Sequence, residues 1–361
     1  MKRKFLTRSY FVLFAAVLTA TGYAETSPWP FSPPPGAPPQ TAAPRSVTVA
    51  FWNIQWFPGR RPNATRGEET RQTNAVHSDM TQLNADIIGM EEVRDFARAG
   101  AAVAPLAGFK VDVCANFPPR EGQTEAQQVA IASRLQPLSA WAEEWKRNGA
   151  MTPPRGFAFA AYEIAPRQLL LVYGVHLKSN RGDIRENIPL RQESIRQLRA
   201  HMTAMESAYG KAGTITWIVG GDFNSSLDDN RFAAETTLRT LMSNGLAWAW
   251  QNVPLVQRTT VPPGRDFPAA CFDHIFYRGA TLRRASVANT SPQSSDHRAV
   301  VATLDLPPAS QSEASSPEIF RDSKSPADRE RPLICDADRV SPRSWLPATS
   351  VSWPARFRVR R

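Results

Sequence analysis

Thr216-Trp217-Ile218-Val219-Gly220-Gly221-Asp222-Phe223-Asn224 is the stretch that decides how this chain folds. An apolar run ends in two glycines, then in a carboxylate and an amide two residues apart. Runs of that length and composition read as buried strands. In an extended segment the i, i+2 spacing puts Asp222 and Asn224 on one face and Phe223 on the other. The same residues also fit an Asx turn closing the strand. Polar groups where buried strands end are where an α/β scaffold presents a site.

Four more segments follow the pattern. Residues 47–51 lead into Asn53, and residues 86–90 lead into Glu91-Glu92. Residues 169–175 lead into His176, with Lys178 two positions on. Ser295-Asp296-His297 is followed by the apolar run 299–304. Between them, residues 69–85 are amphipathic, 129–132 form a short strand, and 156–161 pairs with 169–175 across a turn at Ala165-Pro166. Residues 189–209 read as the clearest helix, opening at Pro189 with Leu190, Ile195, Leu198 and Met202 on one side. A second helix, 231–244, is closed by Gly245, and 272–277 is a late strand. Strands dominate and helices fall between them, which favours two sheets packed face to face with helices outside. No repeat or internal linker divides the stretch, so 46–306 is expected to be one domain.

The ends read differently. Lys2, Arg3, Lys4 and Arg8 precede the apolar residues 11–18 and the small-x-small site Gly22-Tyr23-Ala24. This is the pattern of a cleaved signal peptide, 1–24, with an uncleaved anchor as the alternative. Residues 25–45 are a Pro-rich linker. Residues 307–361 are rich in Ser, Pro, Asp and Arg and are expected to be mostly disordered. The mature protein is therefore expected to be secreted or periplasmic and monomeric, without stable membrane insertion.

The formal charge of +10 is misleading, because residues 46–306 hold 28 Lys and Arg against 25 Asp and Glu. A near-balanced domain is weak support for nucleic-acid binding, so the arrangement of charge matters more than its total. Of the three cysteines, Cys114 and Cys271 lie in the domain and are the expected disulfide pair, leaving Cys335 over. None has zinc-ligand spacing.

The five polar clusters converge on one chemistry. Phosphodiester hydrolysis needs a metal to neutralise charge, a base for water and a group for the leaving oxygen. Glu92 follows a buried strand, where a carboxylate is costly unless coordinated or paired. Its neighbour Glu91 is expected on the opposite side. Asp222 and Asn224 can hold water, metal or phosphate. His297 can contact phosphate or move a proton, with Asp273 as the carboxylate that fixes its tautomer. His176 and Lys178 beside acidic clusters suit an anionic substrate.

The ordered set of Trp52-Asn53-Ile54-Gln55, Asp86-Ile87-Ile88-Gly89-Met90-Glu91-Glu92-Val93, Val175-His176-Leu177-Lys178, Gly220-Gly221-Asp222-Phe223-Asn224, Phe272-Asp273-His274 and Ser295-Asp296-His297 resembles the endonuclease/exonuclease/phosphatase superfamily, which includes deoxyribonuclease I and exonuclease III-like repair enzymes. The resemblance spans Asn53 to His297. It implies a four-layer α/β sandwich of two mainly antiparallel sheets flanked by helices, and hydrolysis dependent on Mg²⁺, or on Ca²⁺ or Mn²⁺. Carried over, Asn53, Glu92 and Asp296 are the metal-side residues. Asp222 and Asn224 orient water and phosphate. His297 is the catalytic histidine with Asp273 behind it, and His176 contacts phosphate or protonates the leaving oxygen. Two positions depart from the family pattern. Glu91 stands where many relatives have Gln, and Gln127-Gln128 falls where an acidic or Tyr partner for His176 is often found.

The shared motifs do not choose a substrate. Lys178, Asn180, Arg181, Arg185 and Arg191 follow His176 and are expected to track phosphates, with Arg60, Arg61 and Arg66 flanking. Trp56 and Phe57 can stack on a base. These features favour DNA, or RNA, as the partner. Two alternatives remain open: a sphingomyelinase-like enzyme for lipid headgroups or small phosphates, for which Trp248-Ala249-Trp250 is the membrane-contact candidate, and a catalytically silent binding module.

Overall fold

Buried runs become strands in chain order. The computed structural model describes residues 46–119, 125–264 and 268–307. These give β1 (Ser46–Phe57), α1 (Arg66–Leu83), β2 (Ile87–Val93), α2 (Phe96–Val103), β3 (Lys110–Cys114), β4 (Gln128–Ser133), β5 (Ser139–Glu144), β6 (Gly156–Ala165), β7 (Gln168–His176), α3 (Ile184–Tyr209), β8 (Thr214–Asp222), α4 (Thr237–Ser243), β9 (Ala247–Trp248), β10 (Asp273–Arg278), β11 (Thr281–Val287) and β12 (Val300–Asp305). The expected signal peptide, linker and tail, and Cys335, lie outside the described residues.

Two six-stranded sheets form, ordered β11-β12-β1-β2-β4-β3 and β5-β6-β7-β8-β10-β9. Most pairings are antiparallel, but each sheet holds one parallel pair, β1 with β2 and β7 with β8. A parallel pair needs a crossover, which α1 and α3 supply. The carboxyl ends of β1, β2, β7 and β8 consequently carry Asn53, Glu92, His176 and Asp222. β10 runs back along β8 and sets Asp273 opposite Asp222. β12 starts opposite Phe51, just after His297.

Helices cover the outer faces. Val76 and Met80 of α1 and Ala99, Ala102 and Val103 of α2 pack on Ala50, Trp52, Ile88 and Met90. Ile195, Leu198 and Met202 of α3 and Leu238 and Leu241 of α4 join the second sheet's core. Asp183 caps α3 through the Arg185 N–H (2.9 Å), so the helix starts ahead of Pro189, which lies inside it. The expected helix 231–244 is split into a 3₁₀ turn at Asn230–Phe232 and α4, with Gly245 left-handed (φ +82°). Among the described residues no helix is long and apolar enough to cross a membrane.

Between the sheets, contact is close because glycines face large side chains. A Cβ on Gly220 would lie 2.3 Å from the Phe51 ring, and one on Gly174 3.1 Å from Val129. The expected Cys114–Cys271 disulfide is absent: both thiols are free. Cys114 ends the edge strand β3 and packs with the first sheet's outer cluster, whereas Cys271 is fully buried in the other core. Burial pushes each thiol up to about 12.

Gly220→Ala is expected to cost about 1–3 kcal/mol, the usual penalty for overpacking a filled core. Urea denaturation should show it. Phe51→Leu in the same chain should return part of the loss, and an equal penalty in both backgrounds would contradict the contact.

Candidate active site

At the strand ends one amide bridges the two sheets. Asn53 Nδ2 donates to Glu92 Oε1 (3.2 Å) on its own sheet and to Asp222 Oδ2 (3.1 Å) on the other. Glu92 leaves the ladder at a bulge with φ +61°, which turns its carboxylate to the sheet ends. Glu92 Oε2 accepts the Trp56 N–H (3.1 Å). Burial raises the Glu92 pKa above its usual value.

Glu91 points between the sheets, toward Gly221, rather than to a solvated strand end. It is fully buried, and neither of its carboxylate oxygens has a hydrogen-bond partner. Burial, then the charges of Asp273 and Asp222, push its pKa well up.

Asp222 Oδ1 accepts the Asn224 N–H (2.8 Å), and Asn224 is left-handed at φ +51°. The Asx turn and the shared face are thus one geometry, with Phe223 sent into the core. Asn224 Nδ2 donates to Leu177 O (3.3 Å). Burial pushes Asp222 up to about 7, against the opposing pull of His297.

His297 Nδ1 lies 2.8 Å from Asp273 Oδ2, and its Nε2 lies 3.9 Å from Asp222 Oδ2. Burial works against a charged imidazole, but Asp273 and Asp222 outweigh it and raise the pKa well above the ordinary value. Asp273 is itself braced: its N–H donates to Thr260 Oγ1 (3.2 Å), and its carbonyl accepts the Trp250 indole N–H (3.2 Å). His176 Nε2 lies 3.5 Å from Asp222 Oδ2 and 3.7 Å from Glu92 Oε1. Its carboxylate neighbours therefore come from the strand ends. Gln127 instead meets Arg155, Gln128 ties down the Phe117 backbone, and Glu125 pairs with Arg94.

These residues floor a cavity of about 960 Å³. Glu92, His176, Asp222, Asn224, Asp296 and His297 line it, while Asn53 and Asp273 stand behind. Six arginines also line it: Arg60, Arg61, Arg155, Arg181, Arg231 and Arg298. Arg61 is paired with Glu68 and Arg231 with Asp229. Arg60, Arg181 and Arg298 have no carboxylate partner among the described residues.

Five carboxyl groups, two amides and two imidazoles form a donor set suited to a hard divalent cation. Both Glu91 oxygens and Asp273 Oδ1 are buried without a hydrogen-bond partner, so the site holds polar groups that its own residues do not satisfy. The tightest group of ligand-type atoms, within 4.8 Å, is Asp222, Asp273 and His297. Binding a cation there would disrupt the His297–Asp273 hydrogen bond. Glu92 and the exposed Asp296, with Asn53 behind Glu92, would hold one without that cost.

The family model described as Endonuclease/Exonuclease/phosphatase family matches residues 50–297. The chain belongs to this endonuclease/exonuclease/phosphatase family. Family members are typically metal-dependent phosphoesterases. A family protein from Beutenbergia cavernae superposes with a TM-score of 0.56 at 17% identity, covering 74% of this chain and 73% of that one. One from Bacteroides vulgatus gives 0.54 at 18%, covering 73% and 99%. TDP2 from D. rerio gives 0.52 at 15%, covering 72% and 99%. No curated protein matches the sequence significantly. At these identities the neighbours speak for the fold alone.

Of the residues expected to meet phosphate, Asn180 and Arg181 line the cavity and Lys178 and Arg185 do not. Lys178 Nζ donates to Ser179 O and Arg181 O, and Arg185 is paired with Asp183. Arg191 is fully buried against Glu235 at 2.7 Å and also holds Lys178 O and Asn180 Oδ1 (both 3.0 Å). It is a clamp on the loop, not a phosphate contact. Phe57 is core, and only Trp56 of that pair faces the cavity. Arg155 carried no local signal. Its guanidinium reaches His176 O (2.8 Å) and Leu177 O (2.5 Å) from just ahead of β6, across the β6–β7 pairing.

Arg191→Leu should cost about 3–5 kcal/mol by leaving Glu235 buried and unpaired. Arg181→Ala and Arg185→Ala should each change stability by less than about 0.5 kcal/mol. Thermal melts of the three variants test the division between clamp and rim.

Proposed function

We propose that this family member is a secreted, divalent-metal-dependent nuclease that hydrolyses DNA. The observation that carries the reading is the arginine-lined cavity over the His297–Asp273 and Asp222–Asn224 pairs. Arg60, Arg181 and Arg298, which have no carboxylate partner among the described residues, ring the cavity beside the paired Arg61 and Arg231, an arrangement suited to a chain of phosphates. A small phosphoester would need fewer cations.

In the proposed reaction Asp222 takes the proton from the attacking water, which Asn224 helps to orient. His297, held charged by Asp273, stabilises charge on the phosphate, and His176 serves the leaving oxygen from between Asp222 and Glu92. Glu92, Asp296 and Asn53 would hold a divalent metal, which when bound would neutralise charge at the scissile phosphate; Mg²⁺ is preferred as the candidate, with Mn²⁺ or Ca²⁺ as alternatives. D. rerio TDP2, whose structure holds a single-strand DNA product, offers an analogy for a DNA chain on this fold. Secretion rests on residues 1–24. The lipid alternative loses its membrane-contact candidate, since Trp248, Ala249 and Trp250 are buried.

The test is cleavage of supercoiled plasmid and of a single-stranded oligonucleotide with Mg²⁺, Mn²⁺, Ca²⁺ or EDTA. Metal-dependent cutting that falls by about 10²-fold or more in Asp222→Ala supports the reading. Release of headgroups from phosphodiester lipids without DNA cleavage sinks it.

Arg181→Ala should weaken DNA binding similarly across sequences and lower the slope of log K against log salt by about 1. An unchanged slope, measured by anisotropy with an inactive Asp222→Ala background, would remove Arg181 from the phosphate path.

A further inference from the structure

Six of the seven tryptophans in the described residues are tied down. Trp52 donates to His297 O (3.0 Å), Trp141 to Glu143 Oε1 (3.2 Å), Trp248 to His274 Nδ1 (3.2 Å) and Trp250 to Asp273 O (3.2 Å). Trp145 packs on Phe157 with centroids 5.3 Å apart, and Trp217 stacks on Tyr173. Trp56 is the exception. Among the described residues its ring has no aromatic or cationic partner and its indole N–H no acceptor. It is partly exposed and lines the cavity.

Its backbone makes this placement deliberate. Gln55 (φ +46°) and Trp56 (φ +49°) are consecutive non-glycine residues in the left-handed region, an arrangement that persists only where the surroundings impose it. Asn53 Oδ1 accepts the Gln55 N–H (3.0 Å), and Glu92 Oε2 accepts the Trp56 N–H (3.1 Å). The buried Gln72 amide donates to Ile54 O (2.7 Å) and Gln55 O (3.1 Å). The next residue, Phe57, returns to the core. A costly turn therefore holds a large aromatic face out of the core, one peptide from the metal-side carboxylate. Arg60 and Arg181 line the same cavity, as do the apolar Pro62, Pro262 and Phe272.

We propose that Trp56 is the stacking platform for an unpaired nucleobase, that of a nucleotide adjoining the scissile phosphate. The chemistry demands an unstacked base, because an indole can cover only a base face that no neighbouring base already covers, and such faces are readily exposed where bases are unpaired. The enzyme therefore favours single strands and frayed ends over closed duplex. This inference rests on the nuclease reading and names the strand state that reading leaves open.

The experiment compares steady-state cleavage of a single-stranded oligonucleotide with that of the same sugar-phosphate chain carrying abasic units, for the wild-type chain, Trp56→Leu and Trp56→Phe. Wild type should show a KM about ten-fold or more lower on the base-bearing strand. Trp56→Leu should erase most of that ratio, chiefly through KM, and Trp56→Phe should restore much of it. Equal wild-type KM on the two substrates overturns the platform without any variant. So does a Trp56→Leu loss of the same size on both substrates, which would mark a structural role. If wild type nicks plasmid but cuts neither strand, the preference for unpaired bases falls; if it cuts no DNA at all, the nuclease reading itself falls, an outcome distinct from the others.

Discussion

One side-chain amide holds the two halves of this protein to a common geometry. Asn53 donates to a carboxylate on each sheet, so the strand ends that carry Glu92 and Asp222 are held in register. Two carboxylates approaching across a sheet interface would repel unless a donor stood between them. An Asp at this position would add to the repulsion, and an apolar residue would leave Asp222 short of a donor. The parallel pairs β1–β2 and β7–β8 deliver the strand ends to the same side, and the amide fixes how they meet.

Sequence reading recovers the strands well for a physical reason. Buried strands must be apolar throughout, and polar residues at their ends stand out against that background. It recovers helix boundaries less well. Pro189 looks like a helix start because proline lacks an N–H, yet Asp183 and its carbonyl already cap a turn that begins earlier. At the site, the residues embedded in strand-end motifs are legible, including the Asp273–His297 pair. Those acting across the fold are not. Arg155, just ahead of β6, turns across the β6–β7 pairing to His176 O, and Arg191 reaches from α3 to the buried Glu235. Charge alone cannot separate a rim arginine from a buried clamp, because that depends on whether a distant carboxylate lies within reach.

The charge distribution is layered. Deep in the site lie the carboxyl groups of Glu91, Asp222 and Asp273, with the imidazoles of His176 and His297 beside them. Around the mouth lie arginines. The first layer gathers acidic groups out of water, and the second sets basic groups at the mouth. A domain close to neutral in total charge can thus present opposite potentials at two depths of one cavity.

Backbone strain is concentrated at the same place. Gln55, Trp56, Glu92, Arg155 and Asn224 all adopt left-handed conformations, and all line the cavity. None is glycine, so each conformation has to be imposed by its surroundings. Asn53, Gln72 and the Asp222 carboxylate impose four of them directly or through Glu92. Glycine at these positions would relieve strain but give up the side chain that faces the substrate. Gly174 and Gly220 are glycine for the opposite reason, because a side chain at either would press on the facing sheet.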